Sequence, residues 1–483
     1  MAAPLLQTPT VVRPPTWLSS GRSRSPPLRQ WRADAVVHAG RRWRRLERYI
    51  RSKLLWSRLY RATSYLRSAL WIIPFIAIVL VFAITPTLRT LDELLGWRIS
   101  GLGAAGAQSL YETTITLTLS FLVFTFGSLL VAIQVAGGQL TPRIIATTLL
   151  RDNVVRYSVG LFVFTLLFAV LALNRLESNV QQLIAFVGAV LGIACMAMFL
   201  FLIDYAARLL RPVSIAARVG DEGLAVIESV YPEAVGEAEE VERRDGRRDA
   251  PARIVHHRGK SEIVLAIDLA TLVAEAQRTG GIVELVPQVS DFIASEEPLF
   301  ALHGGAASIA DRTLYATVAI GRERTLEQDP MFAFRILVDI ALKALSAAIN
   351  DPTTAVLAID QIHRLLRAVG RRHLLGDEIC DDHGDVRVIY RTPDWEDYVH
   401  VACREIRSCG ASSIQVARRL FAVLDNLARS LPEHRRAALA EERRLLDGEI
   451  DRRYPIVEDR RLARIPDPQG LGGSSGSKAP TAA

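Results

Sequence analysis

The chain has 483 residues, too many for one ordinary domain, and combines a mean hydropathy of +0.21 with 23% charged residues. That combination excludes a uniformly soluble chain and points to an apolar block set apart from a charged one. The formal net charge is +7, yet residues 1–68 carry fifteen Arg or Lys against two acids, Asp34 and Glu47, so the rest of the chain is acidic on balance.

Residues 1–40 are rich in Pro, Ser and Arg, and are expected to be a disordered or mis-started N-terminus. Residues 41–68 read as a basic juxtamembrane helix. Its Trp43, Trp56, Tyr60 and Tyr65 suit the headgroup level beside the arginines. An apolar span follows directly, so the basic block points to an anionic bilayer surface and not to nucleic acid.

A hydrocarbon core about 30 Å thick needs roughly 20 mostly apolar residues in a helix. Four stretches qualify within 69–203: residues 69–87, 115–135, 157–173 and 183–203, and none contains Asp, Glu, Lys or Arg. The loop at 136–156 carries Arg143, Arg151 and Arg156 against Asp152, and Arg208, Arg211 and Arg218 follow the fourth span. The loops at 88–114 and 174–182 are poor in basic residues. Positive-inside logic therefore places both termini in the cytoplasm. The four cysteines form no C-x-x-C pair, which fits a reducing compartment and argues against a disulfide scaffold.

The second span is rich in hydroxyls. Positions 111, 114, 118, 121, 125, 128 and 132 share one helical face and read Tyr, Thr, Thr, Phe, Thr, Ser, Ala. Two readings are open. Small and hydroxyl side chains allow close helix packing and bond back to the i−4 carbonyl. Alternatively, Thr114, Thr118, Thr125 and Ser128 line a pore in an oligomer. The run QVAGGQLTPRII follows; Gly137 and Gly138 are expected to break the helix, and Pro142 to start another.

Residues 204–465 are expected to form a water-facing α+β domain. Residues 204–230 read as helix, with Pro212 as a kink or restart. Glu262 to Ile267 reads as a strand, and Asp268 as the N-cap of a helix to about Arg278. The run from Gly281 to Gly304 reads as two short strands around a turn. It resembles the hammerhead of biotinyl/lipoyl-like domains, with Ser290 and Glu296 at the two glycine positions of that pattern and no carrier lysine. Tyr315 to Ile320 is read as a strand. Met331 to Ala348 has helical apolar spacing, and Asp351-Pro352 is an N-cap followed by Pro at the first helical position.

Arg322, Glu323, Arg324, Asp329, Arg335, Asp339 and Asn350, with Asp351, form a charged set near this helical hairpin. They read either as surface salt bridges or as a polar site for a small anionic ligand. Cys380, Asp381, Asp382, His383 and Asp385 crowd around Gly384, as in a polar hairpin turn; zinc ligands usually come from two segments, so no metal is assigned. Trp395 to Arg453 is expected to be helical, and residues 466–483 a flexible tail.

The order of the spans, together with QVAGGQLTPR, AIDLATLV, GRERTLEQDP and LVDIALKALSAAINDPTTAV, resembles one bacterial family of predicted membrane proteins, domain of unknown function 2254. The resemblance covers about residues 60–460 and implies the layout above and a bacterial inner-membrane location. It implies no catalytic residue, because the family has no assigned activity. Family members usually read S-P-G where Ala347 and Ala348 stand here.

Two functions are therefore expected as alternatives. One is an oligomeric channel or transport-related protein gated by its cytoplasmic domain, hence a homo-oligomer in the bilayer. The other is a membrane-anchored sensor or scaffold that binds a ligand or partner through that domain. No nucleophile–base pair, carboxylate pair or metal set supports an enzyme, and no cofactor is expected.

Overall fold

The computed structural model describes Tyr60, Leu66, Ala69 and residues 71–95, 101–139, 152–176, 180–209, 211–235, 250–374 and 376–465. The expected segments 1–40, 41–68 (Tyr60 and Leu66 apart) and 466–483 lie outside the described residues, as do Pro142 and Arg143.

Four long apolar helices come first: α1 (Ile72–Leu95), α2 (Ala104–Gln139), α3 (Asn153–Leu173) and α4 (Gln182–Leu209). Each is long and apolar enough to cross a membrane. Their outward faces carry Phe75, Phe82, Val123, Leu130 and Ile193, all more than half exposed. Water does not tolerate an apolar belt of that size, whereas lipid does. The helices extend beyond the expected spans. In particular, α2 continues through Gly137 and Gly138 to Gln139, so the glycine pair does not end it. Gly tolerates a helix interior at roughly 1 kcal/mol relative to Ala, a cost that a 36-residue helix absorbs.

Inside the bundle, Val81, Tyr111, Phe168 and Ile184 pack in one layer, and Phe121, Val159, Phe162 and Leu202 in another. Gly160 on α3 lies so close to α1 that an added Cβ would sit 2.7 Å from Ile73 Cγ2. Small residues let membrane helices approach in this way.

Pro212 restarts the chain as α5 (Pro212–Val230), with Pro at its first turn. The other helices of the water-facing domain are α6 (Leu269–Thr279), α7 (Asp311–Ala316), α8 (Pro330–Ala344), α9 (Pro352–Val369), α10 (Trp395–Gly410), α11 (Ile414–Ser430), α12 (Arg436–Arg453) and α13 (Val457–Ala463). Helices α5 and α8 to α12 share one apolar core that includes Ile227, Phe334, Leu337, Leu365, Tyr398 and Phe421. Ala132 of α2 and Leu209 of α4 belong to the same core, so the bundle and the helical layer are continuous. Gly223 on α5 makes this packing close: a Cβ there would lie 2.8 Å from Ala333 Cβ and 3.1 Å from a Leu365 methyl.

The strands are β1 (Arg253–His256), β2 (Glu262–Ile267), β3 (Gly281–Leu285), β4 (Phe292–Ile293), β5 (Pro298–Gly304), β6 (Val318–Gly321), β7 (Glu378–Cys380) and β8 (Val386–Tyr390). One sheet has the order β1-β5-β3-β8-β7, with β3 and β8 parallel; the other has the order β4-β2-β6 and is antiparallel. Val264, Val283, Leu299, Phe300 and Val388 form a shared core between them.

Several local expectations hold. Strand β2 spans Glu262–Ile267, and the Asp268 side chain caps α6 by accepting from the Thr271 N–H at 3.2 Å. Asp351 caps α9 through the Thr354 N–H at 3.1 Å. Ser290 and Glu296 have φ of 79° and 70°, the left-handed backbone that the hammerhead pattern assigns to glycine. Other expectations are corrected. Tyr315 lies in α7, and the strand begins only at Val318, because the segment caps itself as a helical turn with Thr317 Oγ1 donating to Leu314 O. Between β3 and β5 the chain adds the two-residue β4, which joins the other sheet. Helix α8 ends at Ala344, four residues before the expected Ala348. The turn closes through Asp351 N–H to Ala344 O at 2.7 Å, and Asn350 takes φ 51°.

Candidate functional site

The sequence-derived charged set separates in space. Helix α8 has 15 residues, hence is about 22 Å long, and Asp329 caps one end while Asn350 and Asp351 lie past the other. Arg322 reaches Glu262 on β2 at 3.6 Å, and Arg335 pairs with Glu405 of α10 at 2.5 Å. Asp339 is half-buried on the middle of α8. Asn350 and Asp351 build the turn and cap into α9. The eight residues therefore do not form one pocket, and of them Asp329 alone lines the cleft described next.

That cleft, with a volume of about 240 Å³, lies at the seam between the helical layer and the two sheets. Ser229, Val230 and Tyr231 border it from the end of α5, Ile267 and Leu269 from the β2–α6 junction, and Tyr390 to Pro393 from the end of β8. Glu327, Gln328, Asp329 and Pro330 close it from the loop that leads into α8.

Asp329 is buried and fully engaged. Its Oδ1 accepts from the Phe332 N–H at 3.1 Å, and its Oδ2 accepts from Arg324 Nη2 at 2.7 Å and from the Ser290 hydroxyl. Arg324 also lies over the Phe332 ring, 4.9 Å from its centroid. Gln328 Oε1 accepts from the Ile267 N–H at 3.0 Å, which ties the loop to the second sheet. Burial pushes the Tyr231 phenol up to about 12 and the Tyr390 phenol higher, so both hydroxyls stay protonated at neutral pH. The Tyr231 and Tyr398 hydroxyls are 3.0 Å apart and hydrogen-bonded.

A second polar group stands at the junction with the bundle. Asp152 is the N-cap of α3, accepting from the Val154 and Val155 N–H groups at 2.9 and 3.2 Å. Its other oxygen accepts from Tyr205 Oη of α4 at 2.5 Å and from Arg218 Nη1 of α5 at 2.8 Å. Arg218 also donates to Tyr205 Oη at 3.2 Å. Three helices therefore meet on one carboxylate whose side chain is only 3% exposed. Burial disfavours the Arg218 charge, but its hydrogen bonds to Asp152 and Tyr205 outweigh that and hold the guanidinium above its usual range.

The hydroxyl stripe of α2 faces inward within a single chain. Thr114, Thr118 and Thr125 are buried and Ser128 half-buried, toward α3 and α4. Thr125 Oγ1 donates to Phe121 O at 2.7 Å and Ser128 Oγ to Thr125 O at 3.0 Å. Thr114 lies against Gly192 of α4, where a Cβ would be 3.3 Å from its Oγ1. The outward face of α2 carries the exposed apolar Leu119, Val123, Phe126 and Leu130, together with the exposed Thr113, Thr116 and Ser120, of which Thr116 and Ser120 bond back to the Glu112 and Thr116 carbonyls.

The Cys380–Asp385 segment forms the β7–β8 turn. Asp381 accepts from the His383 and Asp385 N–H groups and from Arg387 Nε at 2.7 Å, and these bonds hold its carboxyl below the usual carboxylate range. Among the described residues no group of three or more metal-ligating side chains converges.

Sequence reasoning missed Tyr231, Glu327, Gln328, Tyr390 and Arg391 at the cleft, and Asp152, Tyr205 and Arg218 at the junction. Glu327 and Gln328 did have a signal: they lie in GRERTLEQDP, a run singled out above. The others are brought in by long-range contacts that leave no local pattern.

Four apolar helices that merge into a helical and two-sheet domain define a polytopic membrane protein with a large extramembrane part. The chain belongs to the family described as predicted membrane protein, domain of unknown function 2254, whose model matches residues 67–426. Similar relatives are uncharacterised proteins of Mycobacterium tuberculosis and Mycobacterium bovis. Each is 24% identical over 416 residues, which cover 82% of this chain and 79% of the relative. No solved structure matches the chain.

Proposed function

We propose that this protein is a membrane-anchored sensor. In this reading its extramembrane domain takes a small ligand in the cleft at the helix–sheet seam and passes the binding event to the four-helix bundle. One observation carries it: α5 touches both places. Arg218 near its start holds Asp152 at the mouth of the bundle, and Ser229 and Val230 at its end border the cleft. The two are about 18 Å apart along one helix. Helix α5 is also braced by α8 and α9, through a shared apolar core and Arg364 on Asp221 at 2.6 Å. A ligand that shifts the cleft shifts an element whose other end is bonded to α3 and α4.

The bilayer in question is the bacterial inner membrane, with both termini in the cytoplasm; the basic residues Arg156, Arg208, Arg211 and Arg218 on the domain side support that orientation. Reporter fusions at the C-terminus check it, because an exported reporter activated there reverses the assignment.

The test of the sensor uses the full chain in lipid nanodiscs. A panel of small metabolites is screened by thermal shift, and hits are followed by hydrogen exchange. Protection at the cleft together with altered exchange at the first turn of α3 supports the reading, and Arg218→Met should keep the first and lose the second. No hit across the panel, combined with solute flux from liposomes, would favour the channel. The inward-facing stripe supports packing over a pore on an oligomer axis, and native mass in detergent reports whether the chain forms a homo-oligomer.

A further inference from the structure

The lining of the cleft is unevenly compensated, and the imbalance identifies the ligand chemistry. Asp329 has the Phe332 N–H, Arg324 and the Ser290 hydroxyl as donors. Two positions away, Glu327 lines the same cleft, and its Oε1 is buried without a hydrogen-bond partner among the described residues. Arg324 is committed to Asp329, so it does not serve Glu327. Gln328 is the next neighbour; its carbonyl oxygen accepts from the Ile267 N–H, and its amide N–H groups make no hydrogen bond to Glu327 Oε1. A buried carboxylate oxygen left without a donor is costly, and native structures seldom keep one unless something else supplies the proton donor.

The walls around it are apolar or aromatic: Ile267, Leu269, Val289, Tyr231 and Tyr390. On the rim stands Arg391, exposed and making no hydrogen bond or ion pair among the described residues. An unpartnered acceptor, aromatic walls and a single basic group at the mouth suit a short molecule with a cationic head and an apolar body. Tyr rings favour a cation against their faces, in keeping with this.

Resting on the ligand-cleft reading above, we propose that the cleft binds a small primary amine, whose ammonium group donates to the buried Oε1 of the half-buried Glu327 carboxylate. A carboxylate at the other end of the ligand would meet Arg391, so the ammonium is the shared requirement and a zwitterion is one source of it.

The experiment uses the full chain in detergent and four probes matched in length: butylamine, 4-aminobutyrate, butyrate and butanol. Binding is read as a concentration-dependent rise in melting temperature and by calorimetry. Butylamine, 4-aminobutyrate or both should bind, while butyrate and butanol should not. Stronger binding of 4-aminobutyrate that falls back to the butylamine level in Arg391→Ala marks the ligand as a zwitterion. Glu327→Gln should weaken amine binding about tenfold or more, the loss expected for one charge-assisted hydrogen bond. Binding by butyrate or butanol without the amines overturns the amine proposal and leaves the cleft as a ligand site. Amine binding that is unchanged in Glu327→Gln overturns it too, as does a failure of both amines to bind. Should Glu327→Gln not fold, the ranking of the four probes on the unaltered protein decides the question.

Discussion

The Asp152 carboxylate accepts from the Arg218 guanidinium at 2.8 Å across 66 residues of sequence, and it caps the third membrane helix at the same time. One side chain thus performs a local task and a long-range one, and substitutions separate the two. Asp152→Asn keeps an oxygen for the cap but removes the charge, leaving a half-buried Arg218 without its partner. Breaking a buried pair from one side costs about 3–5 kcal/mol, and the 31% exposure of Arg218 places this case toward or below the lower end. Asp152→Ala loses the cap as well, about 1 kcal/mol more. Thermal unfolding in detergent should rank the proteins unaltered, Asn, Ala. A double-mutant cycle with Arg218→Met should show a coupling energy well away from zero.

Gly223→Val should destabilise the extramembrane domain. A Cβ at 223 already lies 2.8 Å from Ala333 Cβ and 3.1 Å from Leu365, before the branched methyls are added. Overpacking of this kind costs about 1–3 kcal/mol, and a β-branched residue adds a helix penalty. Chemical denaturation followed by helical circular dichroism measures it. Leu365→Ala, which opens a cavity at the same contact, should cost about 2–5 kcal/mol.

His363 should make stability fall with acid. Its Nε2–H donates to Asn426 Oδ1 at 3.0 Å, and its Nδ1 accepts from Arg419 Nη2 at 3.3 Å. Burial and then the nearby Arg419 charge depress its pKa to about 4. The unfolded chain takes up that proton near pH 6.5, so between about 6.5 and 4 the unfolded state binds more protons than the folded one. Stability contributed by this site is therefore full above pH 6.5 and declines as pH falls through 4, by about 3 kcal/mol in all. His363→Gln should flatten that limb of the stability–pH curve.

The inward direction of the α2 stripe is open to labelling. Thr114→Cys, Thr118→Cys and Thr125→Cys, each in a background lacking the native cysteines, should resist a membrane-impermeant maleimide in the folded protein and react after denaturation. Rapid labelling of all three in the folded state would mean a water-filled path beside α2 and would revive the pore. Thr125→Val should stay within about 1 kcal/mol of the unaltered protein, because the hydroxyl returns to the Phe121 carbonyl of its own helix.

The sequence alone determined whatever depends on neighbours within a few turns. Four uncharged apolar runs announce the membrane helices, because burying charge in lipid is costly whatever the tertiary arrangement. Asp268, Asp351 and Pro212 mark helix starts, because capping chemistry is local. Even the two hammerhead glycine positions kept their left-handed backbone with Ser290 and Glu296 in place. The tertiary structure decided which way the Thr114–Thr118–Thr125 stripe faces, because an amphipathic pattern defines a face and not its partner. It also decided that Asp329 and Asn350, 21 positions apart, stand at opposite ends of a helix and do not share a pocket. The cleft needs Tyr231, Glu327 and Tyr390 from three distant segments, and the junction needs Asp152, Tyr205 and Arg218 from three helices. Such sites exist only once the chain has closed its long loops, and no periodicity within one segment encodes them.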